Sequence, residues 1–164
     1  MTKRLKREKS FTLIELLVVI AIIGLLVSIV LVSFGPTREK ARDAQRQSDV
    51  KQVNLAMELC YSDENCGEGK DKYISTTNGV SNAKGTVIST YLTVPTDPKD
   101  DEVNSYFYRW TTNSGDPAYQ YYCFYAKMEA EDNTWFCASN KGVNEKTQVG
   151  YTPSNDDCCG VDIN

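Results

Sequence analysis

The sequence predicts an α+β fold, in which a long N-terminal helix, membrane-spanning in its first half and amphipathic in its second, packs on a small antiparallel β-sheet. Three observations carry this. Leu16 to Phe34 is a run of 19 residues without a charge. After it, Val50, Val53, Met57 and Cys60 recur at three- and four-residue spacings, which puts them on one helix face. Further on, aromatic, β-prone runs alternate with polar turns between residues 105 and 139. A chain of 164 residues suits one core of ordinary size plus an appendage.

Taken in order, the apolar run rises ~28 Å as a helix, close to the ~30 Å hydrocarbon core of a bilayer. A cleaved secretory signal has a shorter apolar region and places its small residues after it. Here the small residue, Ser10, comes before. Gly24 and Ser28 lie four apart on one face, a spacing that permits close helix approach. Gly35-Pro36 predicts a kink or unwound stretch, because proline lacks a donor and clashes with the preceding turn. Thr37 to Tyr61 reads as the amphipathic helix, with Arg42, Arg46, Asp49 and Lys51 on the faces away from the apolar stripe.

Residues 62–104 read as a variable loop, with a short element around Thr86 to Leu92. Within it, Val94-Pro95-Thr96-Asp97-Pro98 cannot be a central strand and is expected to run extended along the sheet's edge. Strands are predicted over Ser105–Thr111, Tyr119–Met128 and Thr134–Ser139, the last two forming a hairpin around Ala130-Glu131-Asp132. The final stretch, 140–164, reads as a disulfide-anchored loop. The chain therefore divides into a basic leader (1–10), an apolar helix (11–36) and a globular domain (37–164).

Charge and cysteine usage bound the function. The first ten residues carry five Lys/Arg against Glu8, in a chain whose net charge is -4. Arg38, Lys40, Arg42 and Arg46 follow the apolar run, so charge alone does not orient the segment. All six cysteines, at 60, 66, 123, 137, 158 and 159, come after it, which suits disulfides in an oxidising compartment. The chain has no histidine, which removes the Ser-His and Cys-His nucleophile systems and the commonest metal ligand. No enzyme activity is expected.

The run Lys9-Ser10-Phe11-Thr12-Leu13-Ile14-Glu15, opening into the apolar helix, resembles the type III leader and N-terminal helix of type IV pilins and type II secretion pseudopilins. The Ala41-to-Gln52 segment is similar to the matching segment of many pilin-like proteins. The resemblance implies a type IV pilin-like fold and a filament subunit. It also implies cleavage between Ser10 and Phe11, methylation of the new Phe11 amine, and a Glu15 that pairs with the amine of a neighbouring copy during assembly. The implied partners are copies of the chain, a prepilin peptidase, an inner-membrane assembly platform and an assembly ATPase. The precursor would be a single-pass protein of the cytoplasmic membrane with its N-terminus inside, and the filament would stand in the periplasm or at the cell surface. Two departures are visible. The family's usual Gly before the cut is Ser10 here, and its usual proline four residues before Pro36 is Val32.

Glu15 is the most pointed single residue, since a carboxylate in the apolar region costs on the order of 2.5–3.5 kcal/mol on insertion scales, less near the interface, and calls for a partner. Cys60 and Cys66 suit a small loop at the helix end. Cys123 and Cys137 suit a cross-strand bridge, which would leave Cys158 to bond Cys159. Pairing of Cys123 or Cys137 with Cys158 or Cys159 is the competing arrangement, and a zinc site lacks any Cys-x2-Cys spacing.

No cofactor is expected. Calcium is the one candidate ion, through Asp156, Asp157 and Asp162 in the acidic tail with Asn155, because some major pseudopilins bind calcium near their C-terminus. The spacing fits no EF-hand, and a solvated tail is the plainer reading. The tyrosine-rich strands do not signal nucleic acid, because residues 62–164 carry eight Lys/Arg against 16 acids. Absence of Trp-Gly after Pro98 and the cysteine-rich tail favour a pilus, whereas the Pro-x-Asp-Pro element favours a secretion pseudopilin. A membrane-anchored extracellular binding module that does not polymerise is the alternative of another class.

Overall fold

A computed structural model describes residues 11–32, 34–67, 69–74, 81–112, 118–154 and 156–162. The leader, including Ser10, and Asn155 lie outside them. The chain divides into two compact units, Met1–Arg38 and Glu39–Asn164. The first contains helix α1, Leu13–Val32. Every one of its side chains described is exposed, and it has no polar face, as expected of a helix whose surroundings are apolar on all sides. Ser28 donates its hydroxyl to the Gly24 carbonyl at 2.8 Å, so the small residues four apart are joined within the helix.

Helix α2 runs Phe34–Tyr61. It starts three residues earlier than expected, and Gly35 and Pro36 lie inside it. The chain is therefore helical through Gly35-Pro36, and the unwound stretch expected there is not found among the described residues. The expected stripe is buried: Val50, Val53, Met57 and Cys60 are each 0% exposed. A disulfide between Cys60 and Cys66 closes the chain just past the last turn. Gly67, next in sequence, holds a φ of +53° with the Ile74 backbone so near that an added Cβ would sit 3.1 Å from its Cα.

The stripe packs on a five-stranded antiparallel sheet whose strands, in spatial order, are β1 (Ser81–Asn82), β4 (Arg109–Thr112), β5 (Tyr122–Lys127), β6 (Thr134–Ser139) and β7 (Gly142–Thr147). Two small ribbons complete the fold, β2 (Val87–Ile88) with β3 (Leu92–Thr93), and β8 (Asp157–Cys158) with β9 (Val161–Asp162). Trp110, Tyr122, Phe124, Ala126, Phe136 and Ala138 face the core shared with α2. The intervening residues Cys123, Tyr125, Trp135 and Cys137 face a second core, covered by Tyr151, Cys158, Cys159 and Val161 of the tail. Both faces of β5 and β6 are thus covered, which explains why they read as nearly continuous apolar runs instead of alternating ones. Burying a side chain such as Phe124 stabilises the fold by about 1.5–3 kcal/mol.

Several expectations need correction. The strand expected over Ser105–Thr111 is Arg109–Thr112, because Tyr106 instead bridges to Asp101 in a turn. The strand expected over Tyr119–Met128 is shorter, Tyr122–Lys127, whereas Thr134–Ser139 has the expected bounds. Val94–Pro98 does not run along the sheet's edge, which is formed on that side by β1. It follows β3 instead, and the Val94 N–H donates to the Thr86 carbonyl at 2.8 Å. The segment 140–164 is not simply a loop, since β7 is a full edge strand of the main sheet. Its sequence, GVNEKT, alternates between half-buried and exposed positions with one β-branched apolar residue, too weak a pattern to announce a strand.

Arg42, Arg46, Asp49 and Lys51 were all expected on faces away from the apolar stripe. Arg46 is fully buried, and Asp49 nearly so. The Arg46 guanidinium forks onto Asp97 through two bonds of 2.7 Å and reaches Asp43 at 2.7 Å and Glu129 at 2.6 Å. Each acid has other donors: Asp43 accepts the Glu129 and Ala130 amides, Asp97 the Lys99 amide, and Glu129 the Arg42 guanidinium. This hub ties α2 to the proline segment and to the β5–β6 turn.

Burial by itself would raise the Glu129 carboxyl, but hydrogen bonds and charge from Arg42 and Arg46 outweigh it and hold it down to about 2. A carboxyl lowered on folding stabilises the fold fully above its unfolded value of 4.5, and that stability is lost as pH falls toward 2. The expected loss is about 3 kcal/mol over that window. Urea titrations of the wild type and Glu129→Gln between these pH values check it. The variant should start less stable and show a visibly shallower acid slope, and equal slopes would discount the ion pairs.

Candidate assembly site

The residues singled out at the N-terminus lie at the start of α1. Phe11 is 89% exposed and Glu15 is also exposed. Glu15 sits at the third helical position and Thr12 precedes the first, which makes a capping box. The Thr12 amide and hydroxyl both donate to Glu15 Oε2, at 2.9 and 2.8 Å, while the Glu15 amide donates to Thr12 Oγ1 at 3.3 Å. These contacts satisfy amides that the first turn of any helix leaves open. The sequence reading assigned Glu15 an amine as its natural partner and overlooked Thr12. The missed signal was plain: Ser/Thr-x-x-Glu in front of an apolar run is a helix-start signature. A capped Glu15 presents its negative charge at the end of a helix that passes, over Leu13–Val30, the length and apolarity needed to cross a membrane.

In the second unit the six cysteines are fully paired. Cys123 bonds Cys158 and Cys137 bonds Cys159, with Cα separations of 5.6 and 5.9 Å. The cross-strand Cys123–Cys137 pairing is excluded by this arrangement. In the β5–β6 register Cys123 faces Ser139 and Cys137 faces Tyr125, so the two cysteines share a face but stand two residues out of step. The turn between β8 and β9 resolves the neighbouring tail cysteines. Cys159 and Gly160 occupy its centre with φ of +55° and +83°, as a type I′ hairpin requires, and each cysteine bonds a different strand.

Among the described residues, the one group of three potential metal ligands is Cys123, Cys137 and Cys158, all disulfide-bonded. Of the calcium candidates, Asp157 and Asp162 stand opposite each other in the β8–β9 register, but among the described residues the three acids do not form one ligand group. Asp157 is held by the Tyr151 hydroxyl at 3.0 Å, the Gly160 amide at 2.5 Å and the Lys146 ammonium at 3.2 Å, while Asp156 and Asp162 are exposed. The aromatic residues serve the two cores: Tyr108, Trp110, Tyr122 and Tyr125 are buried. The hydroxyls of Tyr108, Tyr122 and Tyr73 donate to Asp49, Asn54 and Glu58 along α2.

In sequence, a capped and uniformly apolar helix precedes a disulfide-bonded α+β unit. The family described as Prokaryotic N-terminal methylation motif matches residues 5–31. Two curated relatives extend the likeness. The chain is 37% identical over 79 residues to Type IV major fimbrial protein FimA of Dichelobacter nodosus, covering 48% of this chain and 49% of that protein. It is 30% identical over 103 residues to Type II secretion system core protein G of Pectobacterium carotovorum subsp. carotovorum, covering 63% of this chain and 59% of that one. The chain therefore spans about half to three-fifths of the length of these relatives. No solved structure gives a significant match.

Proposed function

We propose that this chain is the precursor of a structural subunit of a type IV pilus or a pilus-like filament. A prepilin peptidase cuts between Ser10 and Phe11, the Phe11 amine is methylated, and copies associate through α1. The observation that carries this reading is the start of α1, where the methylation motif coincides with a capped Glu15 four residues beyond the new amine. The amine of an incoming copy is the charge Glu15 can take up once lipid is replaced by protein. Little hydrophobic energy separates α1 in lipid from α1 among copies of itself, so packing and this charge pair do the selecting.

An inner-membrane platform and an ATPase supply the work of extraction, and one fimbrial and one secretion-system relative support a filament of this kind. Mass spectrometry of the protein from its native membrane, paired with electron microscopy of sheared surface material labelled with antibody to this chain, tests the proposal. A methyl-Phe11 terminus and labelled filaments support it. An uncut N-terminus without filaments would favour an anchored binding module.

A further inference from the structure

We propose that the two C-terminal disulfides form a single exchange unit, in which a thiol freed from one bond recaptures the tail from the other. The sulfurs of Cys123, Cys137 and Cys158 lie within 4.8 Å of one another, although only Cys123 and Cys158 in that trio are bonded. The register explains the proximity. Cys123 and Cys137 project from adjacent strands onto one sheet face, diagonal to each other, and Cys158 lies over both.

All of these cysteines are at most 4% exposed, so their nearest available reactants are each other. Tyr151 and Trp135 close the same core, and the Trp135 indole donates to the Tyr151 carbonyl at 3.0 Å, holding the tail in place while a bond changes hands.

The step is balanced as follows. A dithiol reductant opens Cys137–Cys159, leaving two thiols and an oxidised reductant. The Cys137 thiol loses its proton to solvent, and its thiolate attacks the Cys158 sulfur. A Cys137–Cys158 bond forms, Cys123–Cys158 breaks, and Cys123 leaves as a thiolate that takes up a proton. The number of disulfides is unchanged. Throughout, Cys158 stays bonded to the sheet, by β5 before the step and by β6 after it. The consequence is that the bond left after one reduction event can stand on either β5 or β6. The outer face of β5 and β6 is uncovered only when both bonds are lost.

The test uses the full chain made in an oxidising compartment and carrying Cys159→Gly, a change that suits the positive φ at that position. Thiols are alkylated after incubation at about pH 5 and about pH 8, since exchange requires thiolate and a free cysteine has a pKa near 8.5. Peptides are then mapped without reduction. The expected result is that Cys158 is found with both Cys123 and Cys137, the second pairing reaching on the order of a tenth or more at the higher pH, while Cys60–Cys66 stays intact. Recovery of Cys123–Cys158 alone, with Cys137 alkylated at both pH values, overturns the proposal. Mixed bonds that include Cys60 or Cys66 also overturn it, because that pair belongs to the other core and joins in only if the chain unfolds. Should the variant fail to fold, limited reduction of the wild type decides. Once-reduced molecules must include the Cys137–Cys158 peptide, and its absence is a refutation.

Discussion

Replacing Arg46 with Leu in the detergent-solubilised chain is expected to lower unfolding stability by about 3–5 kcal/mol, the cost of removing one partner from a buried ionic group. The side chain is 0% exposed and its guanidinium serves Asp43, Asp97 and Glu129 at once. Leucine would satisfy the volume and leave those carboxylates facing one another. The amide donors of Asp43 and Asp97 and the Arg42 partner of Glu129 remain, but amides do not cancel the charge of the two aspartates.

Arg46→Lys should recover part of the loss, since an ammonium can meet the acids but cannot reproduce the two-bond fork onto Asp97. Arg42→Ala, at a side chain 30% exposed, should cost only about 1 kcal/mol. Urea unfolding followed by tryptophan fluorescence gives the ranking, because Trp110 and Trp135 are both buried. If Arg46→Leu unfolds within experimental error of wild type, the hub is not what joins α2 to the proline segment.

At the N-terminus, Glu15→Val is expected to insert into membranes as well as or better than wild type, while shear fractions lose filaments by at least about tenfold. Truncating one side of a desolvated, hydrogen-bonded charge pair costs about 2–5 kcal/mol at an interface, and a tenfold change in association needs only about 1.4. The capping box adds a second effect that valine also removes, so a sharper variant is needed. Glu15→Gln keeps an acceptor for the Thr12 amide and hydroxyl but has no charge for an incoming amine. Loss of filaments in Glu15→Gln assigns the role to charge. Wild-type yield in Glu15→Gln, with loss in Glu15→Val, would instead assign it to helix capping.

How far the sequence could be read depended on whether a signal was local. The apolar run of α1, the stripe Val50, Val53, Met57 and Cys60, and the bounds of β6 were legible because a single element's periodicity or composition encodes them. Arg46 was legible in principle: the same four-and-three spacing, continued one turn toward the N-terminus from Val50, lands on it. It was misread because a charged residue on an apolar stripe is buried only if distant acids meet it, and Asp97 and Glu129 lie 51 and 83 residues away in sequence. Thr12 was missed although its capping signature is contiguous with Glu15. β7 left little trace, since an edge strand with one solvated face and one short apolar residue resembles a polar loop.

The sequence by itself determined which segment can enter a membrane, where that segment begins, and which helix face seeks a sheet. Those properties depend on runs and periods of neighbouring side chains, and water and lipid respond to them without reference to the rest of the chain. Tertiary structure alone decided which of the four later cysteines bond, that Arg46 is an interior hub, and that the tail is a second cover for the sheet. The pairing of the tail cysteines and the placing of the tail depend on strand register and on a turn with positive φ at Cys159 and Gly160, and the hub depends on Asp97 and Glu129 being brought to α2. Register fixes distances between residues far apart in the chain, and those distances, more than residue identity, select one pairing from several that chemistry allows.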